Sequence, residues 1–376
     1  VVIVIDTIKL VTKLNNRLRQ SEVRFDLFRE NERGVITGVI NPTATDRKLG
    51  VYKPRITYTE RPRPHGRDYE LAIELSLPKL VYGNNFNELS EADFDQVLFM
   101  LRKVLREMQI GFYFSPQLAN LEVRKIDFCK NVVFTDGTLA SAIIAGLNTA
   151  DISKVYDVQN TDFQNGGKVL HIHTNSLDIA IYDKITDLQR SKISEKRTQE
   201  KDGYCQLNLL DELEKIRKAK HPFAVVRFEV RLNGKQKIQK EFKKLGIEEP
   251  LTFKDVFTDE VAKRVLTHHW ENIFSKVQKA HLLQDTPISL LRDILSETTQ
   301  RPQEALARLG YAYLSAHTND ARHIRTLFDE AIGRQAWYRI RNIRLPPQRR
   351  QLKSLIFMGN TIKEMKATKL EDYDIS

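Results

Sequence analysis

The sequence predicts an α+β fold: a mostly antiparallel sheet domain, followed by a helical, basic domain. Three observations carry this. Short apolar, β-branched or alternating stretches recur through roughly the first 240 residues. Few clear helices interrupt them. From about Thr252 onward nearly every segment repeats at helical spacing. With 376 residues, two domains are expected, spanning 1–245 and 246–376.

The expected strands are Val1–Leu10, Val23–Arg29, Val35–Ile40, Tyr69–Leu77, Leu121–Phe134, Lys168–His173, Asp178–Lys184 and Phe223–Leu232. Each alternates or is continuously apolar, as half-buried or fully buried strands do. Between the fourth and fifth lies a helix. Ser90 is its N-cap, with Asp93 three residues on. Phe94, Val97, Leu98, Leu101, Val104, Leu105 and Met108 then fall on one side, and Gly111 ends the run. Thr138–Leu147 is a second helix, rich in small residues. Asn175-Ser176 is the turn between two strands. The charged stretch 186–206 reads as a solvated excursion, and Leu207, Leu210, Leu213 and Ile216 give an amphipathic helix after it. The C-terminal helices are expected over 253–283, 288–296, 302–315, 321–332, 335–343 and from about 348.

Composition excludes several classes. Apolar residues are 41% and charged residues 29%, with 16 Gly and 12 Pro, so the chain is neither low-complexity nor collagen-like. No apolar run approaches ~18 residues, so no transmembrane helix is expected. VVIVI at the start lacks a basic flank and is followed by Asp6, which fits a buried strand better than a signal peptide. Two cysteines, Cys129 and Cys205, exclude a disulfide scaffold and a cysteine zinc site and suit a reducing, cytoplasmic compartment. The formal charge of +11 favours a polyanionic partner. Its densest source is the segment 331–353, where Arg334, Arg339, Arg341, Arg344, Arg349, Arg350 and Lys353 occur without a carboxylate. Trp337 and Tyr338 sit among them. Cations release counterions from phosphates and aromatic rings stack on unpaired bases, so this run is a candidate DNA grip. A solvated helix with its rings turned inward is the other reading.

Four strands carry the candidate chemistry. Glu74 lies in Ala72–Ser76, followed by Lys79, Gly83 and Asn85. Asp127 lies in Val123–Phe128. Tyr182 lies in Ile179–Lys184, where alternation puts Ala180, Tyr182 and Lys184 together. Arg227, Glu229 and Arg231 share a face opposite Val226, Phe228 and Val230. If neighbouring strands share that polar face, acids, a phenol and cations converge. Two or three carboxylates can hold Mg²⁺ or Mn²⁺, a tyrosine can attack phosphorus, and Lys or Arg can orient the phosphate. Spacing alone leaves surface ion pairs and cross-strand packing open. His171-Ile172-His173 points two imidazoles one way. It could ligate a metal, as in HUH nucleases, or simply pack.

In order along the chain, these stretches resemble the replication initiators of filamentous bacteriophages, the gene II/X family. The resemblance rests on Ile5-Asp6-Thr7-Ile8-Lys9-Leu10, on Ser76, Lys79, Gly83 and Asn85, on Lys125-Ile126-Asp127, on Tyr182-Asp183-Lys184 with Leu188-Gln189, on Val226-Arg227-Phe228-Glu229, and on Phe242-Lys243-Lys244-Leu245-Gly246. More distantly the chain is similar to the trans-acting plasmid Rep proteins of rolling-circle replication, although Asn131 stands where those carry a second acid. The resemblance implies an origin-specific endonuclease and strand transferase. Tyr182 would be the nucleophile, retaining the 5′ phosphate. Glu74, Asp127 and Glu229 would hold Mg²⁺ or Mn²⁺, with Asp6 a further candidate acid. Lys79, Lys184 and Arg227 would hold phosphate or the leaving group. Origin DNA, a host helicase and polymerase, and a second copy of the chain are the implied partners, in the cytoplasm of a bacterial host. The competing readings are a relaxase or transposase of HUH type using His171 and His173, and a non-catalytic origin-binding protein.

Overall fold

The computed structural model describes residues 5–189, apart from 19–22, parts of 44–50, 111–116 and 149–159, and 137, 165–168 and 174–176; parts of 209–216; 223–277 except 249–250; and 302–317, 321–331 and 349–373, with a few isolated positions besides. Ten strands are β1 (Ile5–Leu14), β2 (Leu27–Glu30), β3 (Ile36–Ile40), β4 (Arg55–Arg63), β5 (Gly66–Ser76), β6 (Glu122–Phe134), β7 (Asn160–Gln164), β8 (Val169–His173), β9 (Asp178–Asp183) and β10 (Ala224–Asn233). They form one sheet in the order β2-β3-β4-β5-β1-β6-β10-β9-β8-β7, with every adjacent pair antiparallel. The α+β class with a large antiparallel sheet is therefore as the sequence predicts.

The helices are α1 (Leu77–Tyr82), α2 (Phe94–Glu107), α3 (Ala140–Asn148), α4 (Lys184–Gln189), α5 (Lys235–Lys244), α6 (Phe253–Val256), α7 (Asp259–Phe274), α8 (Pro302–His317), α9 (Ala321–Ala331) and α10 (Arg349–Glu364). Local chemistry sets their ends. Pro78 opens α1, and Gly83, at φ 70°, closes it in a left-handed conformation that costs glycine little. Ser90 and Asp93 form a capping box ahead of α2, with Asp93 Oδ2 accepting from Ser90 N at 2.6 Å. The helix expected over 253–283 is instead broken. Thr252 caps α6, and Thr258 Oγ1 accepts from Val261 N to start α7, so two caps within seven residues outweigh the continuous apolar period. Residues 278–283 lie outside the described ones, as does the turn at 175–176.

The main core lies on one face of the sheet. Ile126, Phe128, Ile179, Ile181, Val226, Phe228 and Val230 from the central strands meet Leu101 and Leu105 of α2, Ile143 and Ile144 of α3, Phe242 of α5, Trp270 of α7 and Met358 of α10. The Phe228 and Trp270 rings meet edge to face at 6.0 Å. Each such buried side chain contributes ~1.5–3 kcal/mol, so this apolar face dominates the stability. Helices from both sides of residue 245 contribute to it.

The opposite face is polar in its middle. Three rows cross it: Tyr182–Arg227–Asn131, Ala180–Glu229–Cys129 and Asp178–Arg231–Asp127. One end of this face is closed by a second, smaller apolar cluster, in which Val133 and Val225 meet Ile185, Leu188, Leu209, Leu213 and Ile216. Near the same end, buried Glu88 ties three segments together. Its Oε2 accepts from Lys130 Nζ at 2.5 Å and Thr368 N at 3.0 Å, and its Oε1 from Asn131 N at 2.7 Å.

Two strands were not expected from sequence. β4 has the required alternation of Ile56, Tyr58 and Glu60, but its Arg, Glu and Pro content masks it. β7 carries one apolar residue, Phe163, and lies at the sheet edge, where no apolar period is required.

Candidate active site

The centre of the polar face is a four-strand cluster around Tyr182. β10 supplies Arg227, Glu229 and Arg231, spaced two apart, and β9 supplies Tyr182 beside Arg227. β6 supplies Asp127 and Cys129. β1 supplies Asp6 through a β-bulge: Ile5 pairs with Phe128 and Thr7 with Asp127, which leaves Asp6 as the extra residue. A bulge re-aims side chains locally, and Asp6 Oδ2 comes within 3.2 Å of Arg227 Nη2.

The phenol of Tyr182 donates to Glu229 Oε1 at 2.6 Å. The same oxygen forms an ion pair with Arg227 Nε at 2.8 Å. Glu229 Oε2 accepts from Arg231 Nε at 2.9 Å and also pairs with its Nη2. Arg227 is wholly buried. Its other contacts are Asn85 O at 2.6 Å and Cys129 Sγ at 2.9 Å. A guanidinium removed from water needs such enclosure, since an unpaired buried charge costs several kcal/mol (~3–5).

These contacts separate the protonation states. Burial would raise the Glu229 carboxyl, but the charges of Arg231 and Arg227 and the hydrogen bond from Tyr182 hold it at about 2. Burial and the Glu229 charge push the Tyr182 phenol well above its ordinary value, so it is a neutral donor. Burial, and then the charge of Arg227, bring the Lys184 ammonium down to about 7. Burial raises Asp127 to about 7, with Glu229 and Asp6 adding to the rise against the pull of Lys125.

Of the residues expected from sequence, Tyr182, Arg227, Glu229 and Asp127 converge, with Asp6 among them. Lys184 does not continue the strand as expected. β9 ends at Asp183, whose carboxylate accepts from Thr186 N at 3.0 Å and Thr186 Oγ1 at 2.8 Å, and Lys184 opens α4 instead. It is nonetheless buried beside the cluster, within electrostatic reach of Arg227, Asp6 and Glu229. Glu74 is set apart on β5. It bonds Lys125 Nζ at 2.8 Å, and Lys125 lies 3.6 Å from Asp127, so a lysine bridges the two acids. Lys79 lies on α1, half-buried. Asn131 is structural: its Nδ2 donates to Phe86 O at 2.8 Å. Arg334, Trp337, Arg339, Arg341 and Arg344 lie outside the described residues, and Arg349 and Arg350 begin α10 with their side chains outside them.

The acids can be tested against a hard cation. Both Glu229 oxygens are already engaged by cations or the phenol. Asp127 Oδ1, by contrast, is buried with no hydrogen-bond partner. Burial is the main cause that raises its carboxyl, with Glu229 and Asp6 adding to the rise, and a proton or a divalent ion would relieve that buried charge. Asp127 and Asp6 therefore fit such an ion; Glu229 fits the orientation of Tyr182. Among the described residues, the groups of three or more potential ligand side chains converging within 4.8 Å are His171–His173–Asp178 and Glu241–His268–His269.

One member of the cluster, Asp178, was not singled out from sequence, and Arg231 was placed on the polar face but given no role. Arg231 continues the alternation of Arg227 and Glu229. Asp178 continues that of Tyr182 and Ala180 one step earlier. Extending the Tyr182–Ala180 period by two residues would have found Asp178. Among the described residues no helix is long and apolar enough to cross a membrane. Compared with models of protein families, with curated proteins and with solved structures, the chain matches none.

Proposed function

We propose that this chain nicks and rejoins one strand of DNA through a covalent 5′-phosphotyrosine at Tyr182, as an initiator of rolling-circle replication. The observation that carries the reading is the 2.6 Å hydrogen bond from Tyr182 to Glu229 inside a paired-arginine cluster. In the proposed step the Tyr182 oxygen attacks phosphorus and the bond to the 3′ oxygen breaks. Glu229 Oε1 receives the phenolic hydrogen as the oxygen becomes nucleophilic. Lys184, an amine that titrates near neutrality, gives a proton to the departing 3′ oxygen. Arg227 and Arg231 set positive charge against the non-bridging oxygens. One phosphoester replaces another, so the energy of the linkage is kept and the reverse attack by a 3′ hydroxyl reseals the strand.

A divalent ion, Mg²⁺ or Mn²⁺, would be held by Asp127 and Asp6, with Glu74 beyond Lys125, and would polarise a phosphate oxygen. Support for a DNA substrate comes from the net charge of +11 and the cationic run 331–353. The resemblance to filamentous-phage initiators supplies the rolling-circle context and the host polymerase and helicase as partners, while the division into nuclease and basic helical parts rests on the shift from strand-rich to helix-rich sequence near residue 245.

The test is a covalent adduct. Supercoiled plasmids carrying candidate intergenic regions are incubated with the protein and Mg²⁺ or Mn²⁺, and 5′-blocked nicks are mapped. Tyr182→Phe is expected to bind the same DNA and form no adduct. An adduct that survives this substitution moves the nucleophile elsewhere. Nicks with a free 5′ end would replace transesterification by hydrolysis.

A further inference from the structure

Beside the Tyr182 cluster, β8 and β9 assemble a second group of ligating side chains. His171 and His173 are two apart on β8 and so share a face. Register pairs His171 with Ala180 and His173 with Asp178, which brings the carboxylate to that face. The imidazole centroids lie 3.7 Å apart. His171 Nε2 pairs with Asp178 Oδ1, and His173 Nδ1 is 3.6 Å from the same oxygen. One ligand atom from each of the three residues lies within 4.8 Å of the others. Apart from this pairing, His171 Nε2 and Asp178 Oδ1 are sheltered from solvent and make no hydrogen bond.

A ring nitrogen of each imidazole faces the same carboxylate oxygen, so three donor atoms converge. A metal ion satisfies all three at once. We propose that His171, His173 and Asp178 form a site for one divalent transition-metal ion, of the zinc or cobalt type. The donor set argues for this class: neutral imidazole nitrogens suit zinc, cobalt and nickel, whereas Mg²⁺ and Ca²⁺ take oxygen ligands. Three protein ligands leave a position open for water or an anion. The second carboxylate oxygen, Asp178 Oδ2, faces Arg231 Nη1 at 3.6 Å, an outer contact that fixes the carboxylate and links the site to Glu229 through a single side chain. Ala180, which separates His171 from Glu229 in the register, presents only a methyl group.

The site stands without the nicking reaction, and its test reads binding alone. Full-length protein is stripped with chelator and titrated with CoCl₂, following visible absorption, and with ZnCl₂ by calorimetry. One equivalent is expected to bind with the spectrum of a low-coordinate cobalt ion and to resist excess Mg²⁺. His173→Ala, at a ring that is 41% exposed, is expected to stay folded by circular dichroism and to lose affinity by at least about tenfold. Asp178→Asn should do the same, and Tyr182→Phe should bind as the wild type does. The proposal is overturned if cobalt does not bind, if His173→Ala binds unchanged, if Mg²⁺ displaces the cobalt, or if the loss follows His268→Ala in the other group instead. Should His173→Ala unfold, His173→Gln is read by the same criteria.

Discussion

Replacing Glu88 by Ala removes the carboxylate that Lys130 Nζ, Asn131 N and Thr368 N all use. Lys130 is wholly buried, so its ammonium cannot turn to water. It keeps only neutral partners, Thr368 Oγ1 at 2.9 Å and Asn131 O at 3.3 Å. Breaking a buried pair by removing one partner costs ~3–5 kcal/mol. Unfolding entropy near ~2.1 cal/mol/K per residue gives roughly 0.8 kcal/mol/K for this chain length. The midpoint should therefore fall by about 4–6 °C, read by circular dichroism melts. The segment around Thr368 should also become open to protease, because Glu88 holds it to β6. Adding Lys130→Met removes the stranded charge and should restore more than half of the loss. A single-variant shift below about 1 °C, or a double variant no better than the single, would refute the reasoning.

Lys184→Met should stabilise the protein most below pH 7. The folded amine titrates near 7 and the unfolded amine near 10.5, so the wild type pays the penalty in full at low pH and escapes it as pH rises through that window. At ~1.4 kcal/mol per pH unit the gain is up to roughly 4–5 kcal/mol at pH 6 and should vanish above pH 10.5; denaturant titrations at pH 6 and 10 measure it, and a pH-independent gain would contradict the assignment. Gly359→Ala should destabilise despite better helix propensity, since a methyl group there would meet Trp270 Nε1 at 2.6 Å. Overpacking of this kind costs ~1–3 kcal/mol. Gly310→Ala, on the exposed side of α8 with nothing within 4 Å, should instead gain ~0.5–1 kcal/mol. The same melts compare the pair, and a destabilised Gly310→Ala would count against the helix there.

Much of the sheet was legible because its central strands alternate cleanly. In β10 the period separates Arg227, Glu229 and Arg231 from Val226, Phe228 and Val230, and the fold keeps that division. The capping box before α2 was equally readable, because it depends on residues three apart. What could not be read was the neighbour of each strand. Glu74 and Asp6 have similar local patterns, yet strand order and one bulge set Asp6 against Arg227 and leave Glu74 behind Lys125. Lys184 was misassigned because the cap by Asp183 on Thr186 is a competition between strand and helix that periodicity does not weigh. Edge strand β7 and charged β4 carry too little apolar signal to stand out from loops.

Among the described residues β10 is the last strand, yet it lies between β6 and β9. As a nascent chain leaves the ribosome, the block from β2 through β6 can close on itself, and so can the β7–β9 meander, but among the described strands only β10, complete at residue 233, pairs with both. Products truncated before that strand would keep the β1–β6 pair that carries Asp6 and Asp127 but would lack the strand that sets Tyr182 beside them.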